Sequence, residues 1–155
     1  MSTSRKPTLL CYDGSASAKH AMTVAATALA RHPGVVLHVW HPPVAALADS
    51  FSAPVEPAGP PLATLERSVF QRATELAEEG QRFVSRLGWE VETRIEPASG
   101  DIGQTIIHVA EALDAELIVL GTHGRTAAQP ALLGSVSAVV LSRSARPVLV
   151  VPVAA

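Results

Sequence analysis

The amino-acid sequence predicts an α/β fold in which one open, parallel, five-stranded sheet carries four helices on both faces. Two observations predict this class. Five short apolar runs alternate along the chain with four stretches of helical periodicity, which is the pattern of a doubly wound sheet. Hydrophobic residues make up 48% of the 155 residues, which is enough for one buried core. We therefore expect residues 1–155 to form a single domain.

The first strand and the first helix are predicted from a change of pattern at Asp13. Residues 8–12 are an apolar run, and the turn sequence Asp-Gly-Ser follows it at residues 13–15, which indicates a buried strand. From Ala18 the apolar residues recur at helical spacing, and Ser15 or Ser17 is available as the N-cap.

The second strand follows the turn signal at residues 33–34. Residues 35–40 are apolar and rich in β-branched side chains, which is typical of a strand. A helix between two such strands is the βαβ unit of a parallel sheet.

A proline-rich segment interrupts the pattern at residues 42–61, which hold six of the twelve prolines. No helical or strand period survives there. Loops of this length are uncommon inside a compact domain. We expect a mobile loop that acts as a lid, or else a partly disordered linker.

Helical periodicity returns over residues 65–87. The alternation of apolar and charged residues over 89–95 then predicts a half-exposed edge strand. Asp101 with Gln104 three residues later resembles a capping box, so a short amphipathic helix is expected over residues 102–113.

The last third of the chain predicts a buried strand at 116–120, a glycine loop at 121–124, a helix at 135–143 and a final apolar strand at 148–151. With these elements the predicted architecture is Rossmann-like, with the strand order 3-2-1-4-5.

The glycine loop predicts a phosphate cradle. Glycines at 121 and 124 let backbone N–H groups approach an anion and can adopt positive φ. Gly134 and Ser135 then open a helix whose N-terminal amides and dipole favour a phosphate. A Gly-x-x-Gly spacing alone is weak evidence, so the alternative is a loop that only connects two elements.

Two distant turns are expected to converge on one site. Ligands of open parallel sheets bind beyond the carboxyl ends of the strands, where the strand order reverses. In the order 3-2-1-4-5 this point lies between the first and fourth strands, so Asp13 and Gly14 would lie near residues 121–124. Asp13 has a second interpretation, because an aspartate after a strand commonly caps a helix.

Composition limits the classes of partner. The formal net charge of −2 and the absence of a Lys/Arg run argue against a nucleic-acid or lipid-headgroup surface. No apolar stretch is long enough for a membrane span or a signal peptide, so we expect a cytoplasmic protein. The single cysteine, Cys11, is interpreted as a core residue, and the six histidines lack a metal-binding spacing, so no metal ligand is assigned.

The glycine spacing matches a known signature. The pattern Gly121-x-x-Gly124-x(9)-Gly134-Ser135 resembles the ATP-binding motif of the universal stress proteins. Residues 115–125 are similar to the most typical segment of that family. The resemblance also covers the ends of the first two strands, the start of the third helix and the last strand, at residues 12–15, 37–39, 100–101 and 147–151.

This resemblance implies a binding site for ATP, with Mg²⁺ held by the phosphates and water. Asp13 would lie by the ribose or adenine, Val39 would meet the adenine through its backbone, and Arg125 would be a charge partner. The complete set that it implies is Asp13, Gly14, Val39, Leu120, Gly121, Gly124, Arg125, Gly134, Ser135 and Val136.

The expected function is a nucleotide-dependent regulatory or stress-response protein with no catalytic residue and at most slow ATP hydrolysis. The chain has no Gly-x-x-x-x-Gly-Lys-Ser/Thr motif and no acidic residue in the glycine loop to hold Mg²⁺ directly. The alternative is a nucleotide-free dimeric module that acts through contacts with an unknown protein partner.

A homodimer is expected through the last strand, residues 148–151. This strand is wholly apolar, and in the predicted order it lies at the sheet edge, where unpaired backbone groups favour pairing with another chain. Pro147 and Pro152 bracket the strand and limit such pairing to about four residues. The family resemblance points to the same strand.

Overall fold

The computed structural model describes residues 5–30, 33–43, 60–124 and 133–153. Most of the predicted lid at 42–61 lies outside the described residues, and so does Arg125. The expectations for these two parts of the chain therefore stay predictions.

Five parallel strands form one sheet in the order β3-β2-β1-β4-β5, which confirms the predicted topology. The three inner strands are mostly buried because both faces of a parallel sheet are covered, whereas β3 at one edge is largely exposed or half-buried. The strands are β1 (Thr8–Cys11), β2 (Gly34–Trp40), β3 (Val91–Pro97), β4 (Leu117–Gly121) and β5 (Val148–Val151).

Four helices in the described part of the chain cover the two faces of the sheet. They are α1 (Ala16–Ala28), α2 (Leu62–Arg86), α3 (Ile102–Ala112) and α4 (Ser135–Arg143). Residues of α1 and α2 pack on one face with Leu10 and Val36. Residues of α3 and α4 pack on the other face with Leu9 and Leu37. Neighbouring strand residues therefore point to opposite cores, as the period of a strand requires.

Helix α2 begins at Leu62 rather than at the predicted residue 65. Its first turns are only partly covered, since Leu65 is 39% and Phe70 51% exposed, although the Phe70 ring packs edge-on against Trp40 at the end of β2. The buried face starts only at Ala73. Periodicity located the helix, but the point at which a long helix meets the sheet depends on the tertiary fold.

The edge strand β3 also begins later than predicted, at Val91 instead of Trp89. Gly88 adopts φ 83°, and the Trp89 amide donates to the Val84 carbonyl at the end of α2 (3.4 Å). Trp89 is therefore a buried residue of the turn, 4% exposed, and packs in the core on the α1 and α2 face.

Side-chain caps begin two of the helices. Ser15 caps α1 by accepting a hydrogen bond from the Ala18 amide (3.1 Å), and Asp101 caps α3 by accepting from the Gln104 amide (3.2 Å). The Gln104 side chain contacts His108 (3.1 Å), so only the aspartate half of the predicted capping box is present.

No helix within the described ranges is both long and apolar enough to cross a membrane.

Candidate functional site

A cleft of about 680 Å³ opens at the carboxyl ends of the strands, between β1 and β4. Its walls are the segments that follow β1, β2 and β4, together with the first turns of α3 and α4. This is the point of the sheet where the strand order reverses, so the two predicted turns do meet there. The volume is within the range of small-molecule sites.

The structure brings together most of the residues that the sequence singled out. Gly14 does not line the cleft, because its Cα faces Leu76 of α2; an added Cβ would lie 2.9 Å from that side chain. Gly14 adopts φ 84°, so its place in the structure is the turn after β1. The predicted residues that line the cleft are Asp13, Val39, Leu120, Gly121, Gly124, Gly134, Ser135 and Val136.

The loop glycines provide room rather than unusual backbone angles. None of Gly121, Gly124 and Gly134 has a positive φ, so the expectation of left-handed backbone is wrong at these three positions. A Cβ on Gly121 would collide with Ser17 of α1, and a Cβ on Gly134 would lie 2.9 Å from the Thr122 carbonyl oxygen. At Gly124 the nearest described atom is Asp13 Oδ2, a side-chain atom that would lie 3.3 Å from such a Cβ, which is a tight contact. Close backbone approach is therefore what Gly121 and Gly134 require.

The start of α4 faces the cleft without a side-chain cap. Its N-cap is Gly134, and Ser135 is the first helical residue, as predicted. The first amides of a helix have no partner within the helix and carry its positive dipole end. An uncapped helix start that lines a cleft is suited to an anion.

Two buried serines were missed by the sequence analysis. Ser137 Oγ donates to the Thr122 and Gly134 carbonyls (3.0 Å each), and Ser17 Oγ accepts from the His123 amide (3.4 Å). They are 3% and 5% exposed. The available signal was a small polar residue in the first turn of each helix that flanks the glycine loop, where a hydroxyl can reach the loop backbone.

Asp13 is held in two ways. Its Oδ1 accepts from the Ser15 amide (2.9 Å), which forms the turn before α1, and its Oδ2 is directed toward Gly124 across the cleft. The interpretation of Asp13 as the helix cap is wrong, because Ser15 is the N-cap of α1 and Asp13 only forms the turn before it. Its role at a ligand site stays a prediction.

Charges and apolar groups are unevenly distributed in the cleft. Among its described lining residues there is no Lys or Arg, and Asp13 is the acidic group. One wall of the cleft is apolar, and its residues belong to the core on the α3 and α4 face. That wall comprises Leu37, Val39, Ile102, Ile106 and Leu120.

Cys11 and Tyr12 at the end of β1 stay protonated. Burial, and next the Asp13 carboxylate, raise the pKa of the Cys11 thiol, which leaves it a poor nucleophile at neutral pH. Burial, followed by the hydrogen bond to Glu79, likewise raises the pKa of the Tyr12 phenol. The interpretation of Cys11 as a core residue agrees with its packing against Leu9 and its neighbours.

Three histidines line the cleft, namely His38, His41 and His123. His38 Nδ1 donates to the Tyr12 carbonyl (2.8 Å), since a carbonyl can only accept. His123 Nδ1 contacts Thr122 Oγ1 (2.9 Å), and its Nε2 is buried with no hydrogen-bond partner among the described residues. Within the described part of the chain no group of three or more His, Cys, Asp or Glu residues has the arrangement of a metal site.

The comparison with protein families identifies one match. The model of the universal stress protein family matches residues 4–152. A curated relative, universal stress protein MJ0531 of Methanocaldococcus jannaschii, is 38% identical over 81 residues. That alignment covers 49% of this chain and 48% of the relative, so the chain matches about half of the relative's length.

Solved structures share the fold. The hypothetical protein MJ0577 has a TM-score of 0.75 at 24% identity, with 99% of each chain covered. The universal stress protein of Archaeoglobus fulgidus in complex with dAMP has a TM-score of 0.64 at 20% identity, covering 96% of this chain and 98% of that one. A family member from Arabidopsis thaliana with AMP bound has a TM-score of 0.62 at 16% identity, covering 94% and 90%.

Proposed function

The chain belongs to the universal stress protein family, and from this premise we propose that it binds an adenine nucleotide in the cleft between β1 and β4. The phosphates lie at the start of α4 and along residues 121–124. The base lies against the apolar wall near Val39, and the ribose lies near Asp13.

The observation that carries the proposal is the start of α4, which lines the same cleft as the glycine loop. Among the described residues no side chain caps the first amides of the helix at Gly134, and Gly124 has no side chain to fill the cleft. A phosphate satisfies such amides and fills such a space. The described lining has no Lys or Arg, so the backbone amides of the loop and of the helix start carry the proposed interaction with the phosphate.

Related structures support the class of ligand. The Archaeoglobus fulgidus protein was solved with dAMP and the Arabidopsis thaliana protein with AMP. These ligands share an adenine base and a phosphate, the two groups for which this cleft has an apolar wall and an uncapped helix start.

The finer function we propose is that of an ATP-dependent regulatory protein that has at most slow hydrolysis and acts as a homodimer on an unknown protein partner. Mg²⁺ is then held by the phosphates and water, and Arg125 is a charge partner for the phosphates. The glycine loop and the start of α4 offer backbone amides, which position a nucleotide. The second candidate, a nucleotide-free interaction module, predicts no binding in the test below.

The Gly124→Val variant tests the proposal. The branched side chain takes up room in the cleft, and Gly124 has neither a positive φ nor a close backbone contact among the described residues, the nearest atom being Asp13 Oδ2 of a side chain, so the fold should survive. We expect AMP and ATP to bind the unmodified protein and to bind the variant at least about tenfold more weakly, which corresponds to about 1.4 kcal/mol. Calorimetric titration measures both affinities.

The matched control is Ser142→Val, which adds the same side chain to an exposed position on α4 outside the cleft lining. It should bind as tightly as the unmodified protein. Equal affinities for all three proteins would remove the phosphate site, and no binding by the unmodified protein would favour the nucleotide-free module.

A further inference from the structure

The proposed phosphate cradle consists of two segments of the chain. One is the loop after β4, residues 122–124, and the other is the first turn of α4, residues 134–137. The Thr122 carbonyl oxygen accepts hydrogen bonds from the Gly134 amide (2.7 Å) and from Ser137 Oγ (3.0 Å). This contact joins the two segments across a chain separation of more than ten residues.

Ser137 is the side chain that makes this junction. It is 3% exposed, and its Oγ also lies 3.0 Å from the Gly134 carbonyl, so its single proton is shared between two acceptors that belong to the two segments. A buried hydroxyl in this position fixes the first turn of α4 relative to the loop, since unpaired buried acceptors are costly.

Ser137 is the described side chain that fixes the start of α4. Gly134 as N-cap supplies no side-chain hydrogen bond, so within the described residues the first turn is placed by the backbone and by the Ser137 contact. Gly134 also lies against Thr122, where an added Cβ would be 2.9 Å from its carbonyl oxygen. Small changes in this contact therefore change the distance between the two sets of amides.

We propose that Ser137 is a positioning residue for the phosphate: it sets the spacing of the two amide groups and so increases the preference of the cleft for AMP over adenosine. The proposal rests on the proposed nucleotide site. It requires more than the existence of that site, because a change at Ser137 must weaken the binding of the phosphate group of AMP and leave the binding of the nucleoside almost unchanged.

The test compares AMP and adenosine affinities for Ser137→Ala, Ser137→Thr and Ser142→Ala. Ser142 is the matched control. Its hydroxyl donates to the carbonyl three residues earlier (3.1 Å), just as the Ser137 hydroxyl does, but Ser142 lies at an exposed position of the same helix. Calorimetry gives the affinities, and thermal unfolding reports the fold of each variant.

We expect Ser137→Ala to weaken AMP binding roughly 3- to 10-fold, the loss typical of one hydrogen bond, while the adenosine affinity changes less than about twofold. Ser137→Thr, which keeps the hydroxyl, and Ser142→Ala should retain the preference for AMP. Equal weakening of AMP and adenosine, or an unchanged preference in Ser137→Ala, would overturn the positioning role. If the unmodified protein binds neither compound, it is the proposed function that fails.

Discussion

Tyr12 links the end of β1 to both helices on its face. Its ring packs against Gly80 of α2, where an added Cβ would be 2.7 Å from the ring. Its hydroxyl donates to Glu79 (2.6 Å), which also pairs with Lys19 of α1 (2.9 Å). Tyr12 and Asp13, which follows it directly, both line the cleft, so this cluster lies at one side of the candidate site.

The Tyr12 cluster predicts a pH-dependent contribution to stability. The hydrogen bond from Tyr12, and next that from Lys19, lower the pKa of Glu79 below its ordinary value. A carboxylate with a lowered pKa stabilises the folded state above its unfolded pKa, and this stabilisation is lost as the pH falls through the folded pKa. Tyr12→Phe should therefore reduce the free energy of unfolding by about 1 kcal/mol at neutral pH, a modest value because Glu79 is 42% exposed and solvent screens it.

Denaturant unfolding at pH 7 and at a pH below the folded pKa of Glu79 measures the effect, which should shrink in acid. Introducing Tyr12→Phe into a Glu79→Gln background is the control, since the neutral amide removes the titration. A loss that is equally large at both pH values in the Glu79 protein would contradict this account of the cluster.

Some residues of the candidate site could be located from the sequence, and others could not. Asp13 and the glycines at 121, 124 and 134 could be located, because strand ends and turn residues are visible in the pattern. The positive φ expected of the loop glycines was wrong. Gly121 and Gly134 are needed because Ser17 and Thr122 come close to them, and this approach depends on elements distant in sequence. Ser137 was missed for the same reason, because its partner lies across the loop.

At the scale of elements, helix caps decide where the chain turns toward the cleft. Ser15 begins α1 beside Asp13, and Asp101 begins α3, whose first residue, Ile102, lines the cleft. These caps were predictable, since Ser and Asp before a helical period are strong signals. The exact ends of β3 and α2 were not, because they depend on packing against the sheet.

The cap of α3 can be tested by substitution. Asp101→Ala removes the acceptor of the Gln104 amide and should reduce the free energy of unfolding by about 1 kcal/mol. Gln104→Ala should cost less than about 0.5 kcal/mol, because its side chain does not return to the Asp101 backbone. Urea unfolding of both variants measures the difference. An equal cost for the two substitutions would indicate a full capping box in solution.

At the scale of the whole molecule, the sheet order was predictable because alternating elements restrict a doubly wound topology to few arrangements. The order places β5 at an edge, paired only with β4 in the described sheet. Val148 and Val150 are half-buried and pack against the core on the α3 and α4 face. An apolar edge of this kind favours pairing with a second copy.

A homodimer through β5 predicts a mass of twice 16.2 kDa by light scattering. Val153, 48% exposed just beyond the strand, is a better test position than Val150, which packs against the core. Val153→Lys should shift the protein toward the monomer, because it places a charge at each end of the apolar paired segment, while Val153→Ala should not. A mass near 16.2 kDa for the unmodified protein at micromolar concentration would refute the dimer.

The central claim is that the phosphate of an adenine nucleotide lies at the start of α4. Backbone amide NMR spectra of the labelled protein, recorded with AMP and with adenosine, test it most directly. The account predicts that the amides of Gly124, Ser135 and Val136 shift with AMP and shift much less with adenosine, while amides near Val39 respond to both. If AMP leaves the amides of Gly124, Ser135 and Val136 unchanged at every concentration, the phosphate does not bind there and the claim is wrong.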